Sequence, residues 1–250
     1  MTKLQQPDGK HMPNAGGAVS TTYRPKYVPA TQDIRETFGD EIAALGGDVR
    51  DVYEDGDRLF ARAVLPVDTE VRPGDRVRAG VAVRVAGPDI MVHPYTFRQV
   101  CTNGAIAAHA LETRRLARTY STEVFVSGYD LAVALTELRL AVRACAAKEA
   151  FEVVAGEMRT AAEVEADLAL HLGPALASLP RSMTAQWLPM IFRTFEESGD
   201  RSAFGLLNAV TAVARDISDP EVRWTLEQLG GTTPARLSRS PKAREVLVGA

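Results

Sequence analysis

The sequence predicts an α+β fold: an antiparallel β-meander packed with a helix and followed by a mostly helical C-terminal half. Two observations predict it. From residue 49 onwards apolar and polar residues alternate in runs that Gly- and Pro-containing turns separate, as in antiparallel strands. Beyond Gly104 the apolar residues recur instead at three- and four-residue spacing, as in helices. Strands grouped before helices are typical of α+β rather than α/β proteins.

The N-terminal part contributes an arm and one helix. Residues 1–22 are rich in Gly, Pro, Asn, Ser and Thr, which predicts a flexible arm. Residues 31–45 predict the first helix, because Ile34, Phe38 and Ile42 lie at helical spacing before a Gly-Gly stop. We predict three parts: the arm (1–22), the α+β core (23–126) and a helical region continuous with that core (127–250).

Turn residues divide the meander into strands. Asp55-Gly56 predicts a hairpin turn, and the Pro-Gly turn at 73–74 and the Gly-Pro turn at 87–88 begin two further strands. Leu59, Ala61 and Ala63 are expected to share one sheet face, with Phe60 and Arg62 on the other. The last strand contains Pro94, which predicts an edge strand or a bulge there.

Helices are predicted from Gly104 onwards. Residues 105–118 form the first of them, and Ser127 begins a long one that runs through Met158. Capping and proline signals predict the later helices. A capping box at Thr160 begins one helix, and Pro189 is expected to kink the next. A further helix runs from Asp219-Pro220 to Gly230, and a short last helix begins at Ser240-Pro241.

Several function classes lack their usual residues. Cys101 and Cys145 form no disulfide framework and no zinc-ligand spacing, and the four histidines are not spaced as metal ligands. No glycine-rich phosphate-binding loop occurs. We therefore predict no metal, no cofactor and no catalytic residue. A secretory signal and a membrane-length apolar run are also missing, which predicts a cytoplasmic location without membrane contact.

The middle of the chain is rich in arginine. Between positions 72 and 118 eight arginines and no lysine stand against three acidic residues, although the whole chain carries a net charge of −3. The guanidinium fork suits phosphate and base contacts. The predicted nucleic-acid-binding residues are Arg72, Arg76, Arg78, Arg84, Arg98, Arg114, Arg115 and Arg118. Phe60, Tyr95 and Phe97 are candidate stacking platforms for bases, or core residues. Solvated strand and helix faces would account equally for the arginines.

Two polar segments stand out within the apolar pattern. Cys101, Asn103 and Gly104 form a structural motif in which Thr102 or Asn103 caps the following helix and Gly104 permits a sharp turn. The alternative is a nucleophilic Cys101 at a helix N-terminus, with His93 or His109 as the base. Asn208 lies within an apolar helix and is expected either to tie that helix to another segment or to contact a ligand or subunit.

The same two segments carry a family resemblance. FRQVCTNGAI resembles the R-x-V-C-x-N segment of a large phage/plasmid-like family of unknown function, and FGLLNAVTAVARD resembles its late N-A-V-T helix. The resemblance covers roughly residues 50–230, with Phe204 where the family often has Trp or Tyr. It implies a protein of mobile DNA. A meander followed by a helix is also similar to the β-β-β-α core of ring-forming single-strand annealing proteins.

Three hypotheses follow. The first is a homo-oligomeric protein that binds or anneals single-stranded DNA in recombination, with arginines lining a phosphate groove. The second is an interaction module for a basic host protein, for which acidic residues of the helical half are available: Glu149, Glu152, Glu157, Glu163, Glu165 and Asp167. The third is an enzyme that depends on Cys101.

Overall fold

The computed structural model describes residues 29–87, 89–99, 103–117, 127–173 and 179–237. It has an antiparallel meander followed by a helical C-terminal half, so the predicted α+β class is confirmed. The predicted arm, Cys101, Thr102, Arg118 and the predicted helix from Ser240 lie outside the described residues. Among the helices that are described, none combines the length and the apolar character that a bilayer crossing requires.

The described residues form six strands of one antiparallel sheet. They are β1 (Asp48–Asp55), β2 (Arg58–Arg72), β3 (Asp75–Ala86), β4 (Asp89–Arg98), β5 (Asn103–Ile106) and β6 (Arg114–Ala117). Strands β1 to β5 follow in sequence order across the sheet, and β6 pairs with β4. The turns between the first four strands lie where predicted, and Gly56, Gly74 and Gly87 adopt positive φ angles of 58°, 79° and 63° there.

The pairing of β4 with its neighbouring strands explains why this strand can contain Pro94. On one side β4 pairs with β3 along its whole length; on the other, Tyr95–Arg98 pair with β5 and Asp89–Val92 pair with β6. Pro94 therefore lies where the second ladder passes from one short strand to the other, and its carbonyl accepts from the N–H of Ala107. The prediction of an edge strand or a bulge was wrong: β4 is an inner strand in continuous register with β3, and the interrupted neighbour on its other side tolerates the proline.

One face of the sheet, here called the first face, is covered by α1 (Thr31–Ala44), α2 (Ser127–Ala146) and α3 (Lys148–Glu163). The alternation is as predicted: Leu59, Ala61, Ala63 and their neighbours on β3 are buried against Phe38 of α1. Helix α1 agrees with its prediction to within one residue. Burial of each large apolar side chain between the sheet and these helices stabilises the fold by roughly 1.5–3 kcal/mol.

The remaining helices of the described residues form a second cluster, and the last of them covers the opposite, second face. They are α4 (Leu168–His171), α5 (Arg181–Ser198), α6 (Ala203–Arg215) and α7 (Pro220–Leu237). Helix α6 is central, since Phe204 and Leu207 reach the sheet core while Leu206 and Val210 pack with α5 and α7. Helix α7 lies on the second face, where Trp224 packs against Phe60.

The structure corrects four predicted helix features. The helix predicted over 105–118 is instead β5, a turn and β6, because sheet pairing with β4 overrides the helix propensity of the alanines. The long helix from Ser127 breaks at Ala147 into α2 and α3. Thr160 lies inside α3 and bonds the carbonyl of Gly156 instead of capping a new helix. Helix α7 continues past Gly230 to Leu237.

Candidate functional site

The two motif segments meet in the folded chain. Asn103 lies on β5 with 3% of its surface exposed. Its Nδ2 donates to the main-chain carbonyl of Asn208 at 3.2 Å and to Oγ1 of Thr211 at 2.7 Å, both on α6. The main-chain carbonyl of Asn208 thus links α6 to β5, whereas no described protein group bonds its side-chain Oδ1, so the role expected of that side chain stays a prediction. Asn103 does not cap a helix, since β5 begins there, and instead joins the sheet to α6.

Gly104 is required by close packing rather than by a helix start. A Cβ at this position would overlap the ring and hydroxyl of Tyr95 on the neighbouring strand. Tyr95 is 5% exposed, and burial raises the pKa of its phenol above the usual range. The tyrosine therefore occupies the space that a side chain at position 104 would need.

Phe204, in the first turn of α6, lies close to two guanidinium groups. Cζ of Arg72 is 5.5 Å from the ring centroid and Cζ of Arg98 is 5.7 Å from it. Arg72 bonds Asp200 at 2.7 Å, and Arg98 bonds Asp75 at 2.6 Å. These two arginines thus hold α6 against the sheet through contacts inside the protein.

The other predicted arginines are placed apart from this pair. Three of them bond carboxylates: Arg76 with Asp68, Arg84 with Glu221 and Arg115 with Asp89. Two donate to main-chain carbonyls: Arg78 to Leu65 and Arg114 to Leu111. The described arginines are divided between the two faces of the sheet: Arg78 and Arg84 share one face of β3, whereas Arg98, opposite Val77, lies on the other. Their contact with nucleic acid stays a prediction.

Two of these arginines do share one surface feature, a groove between β6 and α2 that we call the β6–α2 groove. Its cavity volume is about 590 Å³, and its residues are Arg114, Arg115, Leu116, Glu137, Leu140, Ala141 and Ala144. The side chain of Arg115 is 68% exposed, and Leu140 is 59% exposed. Arg114 and Arg115 therefore both border this groove, whose other lining residues are mostly apolar.

A charged cluster that the sequence did not indicate is buried on the second face. Nε of Arg62 lies 2.6 Å from Glu227 of α7, and their side chains are 3% and 2% exposed. Arg223 bonds the same carboxylate, and both arginines contact Asp51 on β1. Burial raises the pKa of Glu227, although both arginines oppose that shift. The sequence gives one signal of this cluster: Arg62 alternates with Phe60 and Val64 on the same strand face, and both of these apolar residues are buried.

The aromatic residues predicted as stacking platforms are mostly enclosed. Phe60 is fully buried and Tyr95 nearly so, both in the cluster with Trp224, while Phe97 is partly buried against it. Helix α7 covers this face of the sheet, so Phe60 and Tyr95 are core residues. The stacking interpretation is wrong for these two.

His93 is neutral at physiological pH. Burial is the main reason that its pKa is lowered to about 4, and the charge of Arg84 adds to the effect. Nδ1 lies 3.1 Å from Oγ1 of Thr113, which itself donates to the carbonyl of Ala107. The hydroxyl therefore accepts from Nδ1–H, which places the proton on Nδ1.

The predicted nucleophilic arrangement loses its helix. Cys101 lies outside the described residues, and residues 103–106 after it form a strand, so no helix N-terminus adjoins it on that side. His109 bonds Glu157 at 2.6 Å on α3. Cys145 is 2% exposed, and burial raises the pKa of its thiol to about 12. Among the described residues, no group of His, Cys, Asp and Glu is arranged to hold a metal ion.

These features define the class of site: a polar junction between a sheet edge and a helix, with an arginine-bearing groove beside the sheet. Comparison of the chain with protein-family models, with curated proteins and with solved structures finds no match.

Proposed function

We propose that this protein binds single-stranded nucleic acid in the cytoplasm, as a phage- or plasmid-type factor for DNA recombination, and that the strand contacts the β6–α2 groove. The observation that carries the proposal is the pairing of Arg114 and Arg115 with an apolar lining in that groove. Arginine side chains bind phosphates, and the leucine and alanine side chains of the groove offer the bases apolar contact.

Both arginines are available for exchange of partners. The ion pair of Arg115 with Asp89 is a surface pair, and such pairs contribute only about 0–1 kcal/mol. Arg114 donates to the carbonyls of Leu111 and Thr113 in its own turn, contacts that a phosphate replaces without leaving a buried charge. A phosphate therefore competes at low cost here, whereas the buried pair of Arg62 with Glu227 is not exchangeable.

The protomer's net charge of −3 opposes binding of a polyanion. Two arginines per chain give weak affinity, so the proposal includes assembly of several copies, whose grooves add along one strand. Binding is then expected to be sensitive to salt and to strand length.

The test is fluorescence anisotropy of a labelled single-stranded oligonucleotide over a salt series. Arg114→Ala/Arg115→Ala is expected to weaken binding roughly tenfold at low salt and to reduce the slope of log K against log salt by about 1.4, two phosphate contacts being lost. The control is Arg35→Ala/Arg50→Ala, which removes the same charge from α1 and β1, on exposed arginines paired with Glu54 and Asp48. Equal weakening by both pairs, or no binding at low salt, contradicts the proposal.

A second function is favoured by one observation. Leu111 and Leu140 are 92% and 59% exposed, and Leu140 lines the β6–α2 groove. Exposed leucines beside arginines also suit an amphipathic acidic segment of a partner protein. Stoichiometric retention of one host protein after nuclease treatment, lost in Leu140→Ser, would favour this function over nucleic-acid binding.

A further inference from the structure

The junction of β5 with α6 contains a small cavity with two unsatisfied acceptors. The cavity has a volume of about 10 Å³, and Asn103, Asn208, Thr96 and Arg98 are among its lining residues. Oδ1 of Asn103 and Oδ1 of Asn208 are both buried, and no described protein group donates to either. A buried acceptor without a donor costs about 1–3 kcal/mol, and both residues line the same cavity, so one shared partner there would satisfy both.

The orientation of the Asn103 carboxamide is fixed by its neighbours. Its Nδ2 has two acceptors, the carbonyl of Asn208 and Oγ1 of Thr211. The hydroxyl of Thr211 donates to the carbonyl of Leu207 at 3.1 Å, as is common for a threonine within a helix, and its oxygen remains an acceptor. Turning the amide over would set Oδ1 against the Asn208 carbonyl, so Oδ1 stays on the other side.

The geometry points to one internal water molecule that donates one hydrogen bond to Asn103 Oδ1 and the other to Asn208 Oδ1. A cavity of about this size holds one water, and such waters bind otherwise unsatisfied buried polar groups. The site selects a neutral donor of two hydrogen bonds. A monovalent cation would require several more oxygen ligands, and much of the remaining cavity wall is apolar, as at Val77, Met158 and Leu207.

The water extends the contact between the two motif segments. The direct bonds run from Asn103 to the main chain and hydroxyl of α6, and the relayed bonds link the two side-chain carboxamides. The water thereby gives the side chain of Asn208 a role that is separate from that of its main-chain carbonyl. This inference is independent of the proposed nucleic-acid binding.

The experiment is solution NMR of the full chain, measuring cross-relaxation between water and amide protons, followed by a high-resolution crystal structure. We expect water cross-peaks to the side-chain amide of Asn103, and one density peak within hydrogen-bonding distance of both Oδ1 atoms. Asn208→Leu is expected to abolish the cross-peak and to raise the unfolding equilibrium constant roughly 5- to 150-fold. Thr96→Val is the control, because Oγ1 of Thr96 donates to the carbonyl of Ala105 and not to the water.

Absence of the cross-peaks in the unsubstituted protein overturns the inference. So does an anomalous signal from rubidium at the site in soaked crystals, which would identify a cation. Loss of the cross-peaks in Thr96→Val but not in Asn208→Leu also contradicts it, since the water would then be held by other groups.

Discussion

Helix α7 packs directly on the sheet at a glycine, and replacing that glycine tests this packing. A Cβ at Gly231 would meet the main chain of Ile106 on β5. That main chain cannot retreat, because Ile106 pairs with Tyr95 of β4 and the next N–H bonds the carbonyl of Pro94. In most helices Gly→Ala stabilises by about 0.5–1 kcal/mol. Here overpacking costs about 1–3 kcal/mol and outweighs that gain.

We therefore expect Gly231→Ala to lower the free energy of unfolding by about 1–2 kcal/mol. Gly39→Ala in α1 is the matched control, because a Cβ there meets nothing within 4 Å, and it should raise the free energy of unfolding by about 0.5–1 kcal/mol. Urea denaturation followed by circular dichroism measures both. A Gly231→Ala protein as stable as the unsubstituted chain would refute the direct seating of α7 on β5.

Three further predictions concern buried polar groups. Arg62→Met is expected to destabilise by about 3–5 kcal/mol, because it removes a buried partner of Glu227; a cycle with Glu227→Gln that gives simply additive losses in urea denaturation contradicts the pair. The folded-state pKa of His93, about 4, lies below the ordinary value of 6.5, so stability is fully present above pH 6.5 and decreases towards pH 4 by about 3 kcal/mol. The His93→Gln variant should lack this decrease. If its stability depends on pH as that of the unsubstituted protein does, His93 is not the cause. In Cys101→Ser the remaining thiol, Cys145, should resist alkylation at pH 8 until the protein unfolds; rapid labelling of the native protein would contradict its burial.

Local signals in the sequence were sufficient for the first half of the fold. Turn residues such as Asp55-Gly56 and strict alternation through Leu59 and Ala61 determine strands, register and buried face with no information from the rest of the chain. The apolar spacing of α1 acts over a few residues in the same way. The sequence also gives the number of charged residues. It does not show which of them form ion pairs, because partners such as Arg72 and Asp200 are 128 positions apart.

The alanine-rich segment after Gly104 marks the limit of sequence-based prediction. Its local preference is helical, yet it forms β5 and β6, because β4 offers an open row of hydrogen-bonding groups and Tyr95 needs a neighbour without a side chain. The same long-range pairing turned Asn103 from a helix cap into the link with Asn208.

The sequence by itself thus determined the class of fold, the meander and the excess of arginine in its middle. Only the tertiary structure decided which arginines face a carboxylate, which pair lines the β6–α2 groove, and that the two motif segments share one junction. The physical reason is range: turns and amphipathic periodicity are encoded within a few residues, whereas ion pairs and buried hydrogen bonds join residues that only folding brings together.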